Sequence, residues 1–243
     1  SLGHPRGQFQ ANVATAYTDA TDDWIDYYLG KTGGAPPTGV TTYTQTCPGN
    51  PDAGGPYTAP DWAPIAPGEI RVLGRGTVRT IDPNGGDFAV ADAFNPLSSI
   101  FGTPPEGTAC AVANGAREPG SVNFETEPAP AGGYTVMGAS TVVLKVAVDG
   151  EGSQIAARLV DVSPDGTEKI LVSRGLWRPD GSGFQVFQLF ANGWKVEPGH
   201  VLRLELLPRD AGQATPGGFF NNFARPSNDQ QNVSVSFVDL RIP

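Results

Sequence analysis

The sequence predicts a mostly β protein, an antiparallel β-sandwich with one N-terminal amphipathic helix. Three observations carry this expectation. Gly and Pro punctuate the 243 residues with 32 and 23 copies, which suits many short strands joined by turns better than long helices. From Tyr134 onward, runs of alternating apolar residues recur between turn signals. Convincing helical periodicity is confined to one stretch, residues 8–29.

That stretch comes first in the chain. Phe9, Val13, Ala16, Ala20, Trp24, Tyr27 and Tyr28 recur at spacings of three and four, and Asp19, Asp22, Asp23 and Asp26 lie mainly off the stripe. Gly30 and the following Lys31-Thr32-Gly33-Gly34 provide a stop. A lone amphipathic helix buries nothing by itself, so it must dock on the β domain or on a larger body.

Strands follow. Thr41 to Thr46 reads as a strand between loop segments Ala35-Pro36-Pro37 and Cys47-Pro48-Gly49-Asn50-Pro51. Ile70 to Leu73 and Thr77 to Ile81 read as two strands, and 82–132 as a long turn-rich excursion pinned by Cys110. Then Val142/Leu144/Val146/Val148 and Ile155/Ala157/Leu159 alternate. Lys169 to Ser173, Phe184 to Phe190 and Val201 to Leu207 come next, and Val233, Val235, Phe237, Leu240 and Ile242 close the chain. Asp149-Gly150, Pro164-Asp165-Gly166, Asp180-Gly181 and Pro198-Gly199 separate these strands, each of which should turn one face inward. No repeat of fixed period is present.

Composition narrows function. The net charge is −9 and basic residues are scattered, so the basic stripe that neutralises nucleic-acid phosphates is missing. No run reaches membrane-spanning length, and no signal peptide is visible. If the protein is exported, its targeting segment lies upstream of Ser1. Cys47 and Cys110 belong to no CxxC pair, and His4 and His200 are the two histidines. The expectation is therefore no metal or other cofactor, and a Cys47–Cys110 disulfide in an exported protein, with two buried free thiols as the alternative.

The segment Gln154-Ile155-Ala156-Ala157-Arg158-Leu159-Val160-Asp161-Val162-Ser163-Pro164-Asp165-Gly166 resembles the C-terminal jelly-roll domain of the CocE/NonD hydrolases, a group that includes X-Pro dipeptidyl-peptidases and cocaine esterase. Ile170 to Pro179, Val186 to Leu189, Asn192-Gly193-Trp194, Pro198 to Leu206 and Arg225-Pro226-Ser227-Asn228 fit the same pattern. The resemblance is specific over 134–243 and extends back to the start. It implies a jelly-roll, galactose-binding-like sandwich at 35–243, preceded at 1–34 by the last helix of an α/β-hydrolase domain. Gly3-His4-Pro5-Arg6 ahead of that helix places His4 at the family's catalytic-base position. Gly-x-Ser-x-Gly is absent, and Gly181-Ser182-Gly183 has the wrong spacing. His4 in this chain would thus be a base without nucleophile or acid.

The resemblance implies a non-catalytic accessory domain of a secreted bacterial serine hydrolase that cleaves an ester, an amide or an Xaa-Pro bond. Its partner would be the α/β-hydrolase catalytic domain or further copies in a homo-oligomer, and helix 8–29 would border a large apolar docking patch. The alternatives are an autonomous carbohydrate- or cell-surface-binding module and a self-assembling structural sandwich. Trp177, Trp194, Phe219, Phe220 and Phe223 are the candidate sugar platform, against a reading in which they pack. Asp161 and Asp165 are either calcium ligands or turn-forming groups paired with Arg158 or Arg174. His200 is either a ligand contact or a turn histidine that bonds locally. Asn232-Val233-Ser234 matches the N-glycosylation pattern, which a bacterial chain would leave unused.

Overall fold

The computed structural model describes residues 10–31, 34–47, 52–94, 110–150, 154–210 and 232–243. In chain order they form α1 (Ala11–Tyr28), β1 (Val40–Thr44), β2 (Gly54–Ala59), β3 (Ile70–Ile81), α2 (Phe88–Ala93), β4 (Val112–Asn114) and β5 (Val122–Glu125). There follow β6 (Tyr134–Gly138), β7 (Thr141–Val148), β8 (Ile155–Val162), β9 (Glu168–Trp177), β10 (Gly183–Gln188), β11 (Asn192–Val196), β12 (Val201–Leu207) and β13 (Val233–Ile242). A four-stranded sheet, β10-β7-β13-β3, faces a five-stranded sheet, β4-β9-β8-β12-β5. β1 pairs with β2, and β6 with β11. Every ladder is antiparallel, so the mostly β sandwich with an N-terminal helix is what the chain builds.

The core lies between the two larger sheets, and the alternation of each strand puts it there. Val142, Leu144 and Val146 of β7 meet Ile155, Ala157 and Leu159 of β8 and Leu202, Leu204 and Leu206 of β12 in one buried cluster. Each Val, Leu and Ile side chain among them contributes about 1.5–3 kcal/mol by leaving water. β13 departs from simple alternation. A bulge between Val235 and Phe237 shifts its pairing with both β7 and β3. Val233 and Val235 face the core before it, and Val238, Leu240 and Ile242 after it. Phe237, expected inside by strict alternation, is thereby turned to the outer face, because one extra residue flips the phase of a period-2 strand.

The expected pair of strands at 70–73 and 77–81 is one twelve-residue strand, β3. Its two central glycines are compatible with pairing because β3 lies along bulged β13. At Gly74 an added Cβ would sit 2.6 Å from the Phe124 ring, so only glycine permits this approach of β3 to β5.

The sequence pattern also assigns one buried face per strand, and the five-stranded sheet differs. Every residue of β8 is buried. The cause is the excursion, which folds back over the sheet's outer face. Val90 and Phe94, in and just after α2, pack with Ala113, Val160 and Val162. Asp87 caps α2 by accepting from the Ala89 N–H at 2.8 Å, and its own N–H donates to Glu118 Oε2 at 2.7 Å.

Beneath this cover lies a buried ionic cluster. Arg158 donates to Glu118 Oε1 at 2.5 Å and, through Nε, to Asp210 Oδ1 at 2.8 Å. Lys169 Nζ donates to Glu205 Oε1 at 2.8 Å and to Glu118 Oε1 at 3.1 Å. Arg174 joins Asp210 at 3.1 Å and also donates to the Phe94 carbonyl. Glu205 is pushed up by burial, against the pull of Lys169. Charges this buried persist only as mutually bonded sets, so the cluster ties the excursion to β8, β9 and β12.

Candidate docking surface

The helix α1 is the most exposed apolar element. At about 100° per residue, Val13, Tyr17, Ala20, Trp24, Tyr27 and Tyr28 share one side, Asp19, Asp22 and Asp26 lie on the other, and Asp23 borders the stripe. No residue of α1 is buried. Tyr17, Trp24 and Tyr28 are 74%, 55% and 65% exposed. Trp24 and Tyr28 lie with ring centroids 4.5 Å apart and planes tilted by 41°, and Tyr27 meets Tyr28 edge-on at 5.1 Å.

Hydrogen bonds at its first turn hold α1 to the sandwich. Gln10 donates to the Thr46 carbonyl at 2.9 Å. Asn12 donates to the Ala53 carbonyl at 2.9 Å and accepts from the Ala53 N–H at 3.0 Å. The β1–β2 hairpin that receives these bonds is itself anchored twice. Cys47 is disulfide-bonded to Cys110, and Gln45 bridges to Trp194 of β11. The chain therefore holds the helix in place and leaves its aromatic side in water, the arrangement expected of a docking surface.

The other candidate residues fall in separate places. Trp194 is 5% exposed and belongs to the core. Trp177 is partly buried and stacks on Phe187 at 5.5 Å, its Nε1 donating to Gln185 Oε1 at 3.0 Å. Both tryptophans pack against the core. His4, Phe219, Phe220 and Phe223 lie outside the described residues.

His200 reaches beyond its own turn. Its Nδ1 lies 2.8 Å from Asp161 Oδ1, and the Trp194 indole N–H donates to Asp161 Oδ2 at 2.7 Å. Buried Asp161 thus joins β8, β11 and the turn before β12. Asp165 sits apart in the 163–168 turn and accepts from Ser163 Oγ at 2.6 Å and from the Thr167 N–H at 3.1 Å. The hydrogen bond from Ser163, with those from Thr167, lowers its carboxyl to about 2. This is turn chemistry, but the expected pairing with Arg158 or Arg174 is not made, since both arginines are committed to the buried cluster. Among the described residues, no group of three or more His, Cys, Asp or Glu side chains is placed to hold a metal ion. No helix among them is long and apolar enough to cross a membrane.

Comparison with known proteins places these features. Residues 11–211 match the family described as the X-Pro dipeptidyl-peptidase C-terminal non-catalytic domain. The chain belongs to this family. Among solved structures with this fold is a CocE/NonD family hydrolase from Staphylococcus aureus, 11% identical, with a TM-score of 0.55 over 95% of this chain and 46% of that one. Another is an aminopeptidase from the marine sediment archaeon Thaumarchaeota archaeon, 15% identical, with a TM-score of 0.56 over 93% of this chain and 43% of that one. The chain spans less than half the length of either structure. No curated protein sequence matches it significantly. The X-Pro dipeptidyl-peptidase C-terminal match begins at Ala11, so it takes in α1 together with the strands through β12, and β13 lies beyond its end.

Sequence reasoning missed a second exposed apolar surface, the outer face of the four-stranded sheet. Phe184 and Val186 point outward from β10 while Gln185 and Phe187 point inward. Both faces of that strand carry apolar groups, so periodicity alone has no phase to report. The signal that could have found it is the apolar content of positions alternating with the core set.

Proposed function

We propose that this chain is the accessory part of a secreted serine hydrolase, seated against an α/β-hydrolase catalytic domain and helping to shape its cleft. The aromatic side of α1 is the contact. The observation that carries this reading is that α1 is pinned at its first turn yet buries none of its residues. In proteins most helical stability comes from packing of an amphipathic face, and a Trp/Tyr stripe is the type of surface that anchors interfaces. The family's non-catalytic description is consistent with it, and the disulfide suits an oxidising compartment. His4, just ahead of α1, is in this reading the base of a triad whose serine and acid come from outside the chain. The parent reaction is hydrolysis of an ester, an amide or an Xaa-Pro bond.

A fluorophosphonate probe, which bonds to activated serines, tests the reading by intact mass. The chain alone should take up no adduct. When it is produced together with its catalytic domain, the adduct should appear on that domain, and Trp24→Ala with Tyr28→Ala should separate the two parts. A stoichiometric adduct on a serine of these residues, or association indifferent to the two substitutions, would overturn it.

A further inference from the structure

Glu205 lies wholly buried in the ionic cluster, and one of its two oxygens has no donor. Lys169 Nζ reaches Oε1 at 2.8 Å, whereas Oε2 has no hydrogen-bond partner among the described residues. Arg158 Nη1 stands 3.8 Å from Oε2, beyond bonding distance, because the guanidinium is turned to Glu118 and Asp210. An ionised carboxylate accepts at both oxygens, and leaving one without a donor in a site closed to water is costly.

The strand alongside holds a matching orphan. Asn123 of β5 pairs directly with Glu205 of β12, and directly paired residues share a face with Cβ atoms about 5 Å apart. Asn123 Oδ1 is also buried with no partner among the described residues. Its neighbours fix the amide orientation. Ser121 Oγ donates to the Glu118 carbonyl at 2.6 Å, so it accepts from Asn123 Nδ2 at 2.8 Å and leaves Oδ1 facing elsewhere. Two neighbouring acceptors each lack a hydrogen, and a single proton on Glu205 Oε2 satisfies both.

The surrounding charges tolerate that proton. Arg158 of β8 and Lys169 of β9 are then balanced by Glu118 of the excursion and by Asp210 beyond β12. Arg203 of β12 comes to 3.7 Å of Glu205 Oε1 but is bonded to Glu125 of β5 at 2.6 Å. Arg174 of β9 pairs with Asp210, and its side chain is 16% exposed, so the remaining positive charge reaches water. Burial, helped by the Glu118 charge, pushes the Glu205 carboxyl up against the pull of Lys169 and Arg158.

We propose that Glu205 is a neutral acid in the closed fold, its Oε2 proton donated to Asn123 Oδ1, so that the excursion ahead of β5 closes over the cluster with uptake of one proton. When that cover lifts, Glu205 meets water and releases the proton, which makes the cluster a pH-sensitive latch. The stabilisation is complete below the ordinary glutamate value of 4.5 and is lost as the pH rises through the higher folded value.

Infrared spectroscopy of the 243-residue chain tests this. At about one pH unit above the ordinary glutamate value most exposed carboxyls have ionised, and a carboxylic-acid carbonyl band should persist that Glu205→Gln lacks. Glutamine can keep both bonds, its Oε1 accepting from Lys169 and its Nε2 donating to Asn123. Hydrogen exchange, corrected for intrinsic rates, then reads the cover. In the unaltered chain the opening constant of α2 and β4 amides should rise by about tenfold per pH unit between the ordinary and folded values. In Glu205→Gln it should stay flat. NMR of isotope-labelled glutamate carboxyl carbons needs no variant, and one carbon should titrate above all the others. A spectrum indistinguishable from that of Glu205→Gln, or glutamates that all titrate at or below the ordinary value, overturns the proposal and marks an ionised Glu205 with a water between the two oxygens. Equal pH slopes in the two chains overturn it as well, because the proton would then have no part in closing the cover.

Discussion

Single residues on the sheet surfaces show how much a local partner decides. Asp239 lies in β13 between two arginines. Arg71 bonds its carboxylate at 2.6 and 2.8 Å, and Arg241 does so at 2.9 and 3.1 Å. The bond from Arg71, more than the one from Arg241, holds the Asp239 carboxyl down to about 2 against an ordinary value of 3.8. A carboxyl depressed in the folded state stabilises the fold above its unfolded value, and that stabilisation is lost as the pH falls through the folded value. The Asp239 contribution should thus be complete above about pH 4 and vanish towards pH 2. Asp239→Asn should lower the melting temperature near neutral pH and flatten its acid decline in this window, as thermal melts between pH 2 and 6 would show. Asp161 illustrates the same principle inside the fold. Next to His200 in space but 39 positions away in sequence, it reads as a turn residue or a calcium ligand until the strands bring its real partners to it.

At the scale of elements, α1 and the excursion have opposite histories. The 3.6-residue stripe of α1 is readable because its apolar positions repeat locally, and the helix spans Ala11–Tyr28 within the expected 8–29. The excursion has no such period. α2 is six residues long, and its stabilisation comes from the Asp87 cap, the Phe94 contacts and the ionic cluster beneath. Removing Arg158 would leave Glu118 and Asp210 without their shared cation in a site closed to water. Arg158→Ala should therefore cost about 3–5 kcal/mol. Urea unfolding would measure the loss, and hydrogen exchange should show amides of α2 and β4 opening ahead of those in β7, β8 and β12. Uniform loss of protection across both sheets would mean the cluster supports the whole sandwich rather than the excursion.

For the whole molecule, the longest covalent constraint is the Cys47–Cys110 disulfide, which closes 63 residues of sequence. It fastens the hairpin that carries α1 to the excursion that covers the five-stranded sheet. In the chain-entropy account a loop of this length is worth about 4 kcal/mol. Cys47→Ser with Cys110→Ser should lower stability by that order, and dithiothreitol should do the same to the unaltered chain but have no effect on the double variant, as denaturant titration would reveal. What the sequence determined by itself is everything written in short-range order. The mostly β class follows from Gly and Pro spacing, the core faces of β7, β8 and β12 from alternation, and α1 from its stripe. The family is legible in the run from Gln154 to Leu206. What only the tertiary structure decided is everything that depends on which distant segments meet. Strict alternation puts Phe237 inside, and the bulge turns it out. Trp194 reads as either a binding or a packing aromatic, and it lies in the core with its indole bonded to Asp161. Arg158, Lys169, Glu118, Glu205 and Asp210 are scattered along the chain, and a segment dozens of residues upstream of the two cations buries them together. The reason is physical: periodicity records which face of a strand is apolar, but the cost of burying a charge or an aromatic ring is set by neighbours that the linear order does not name.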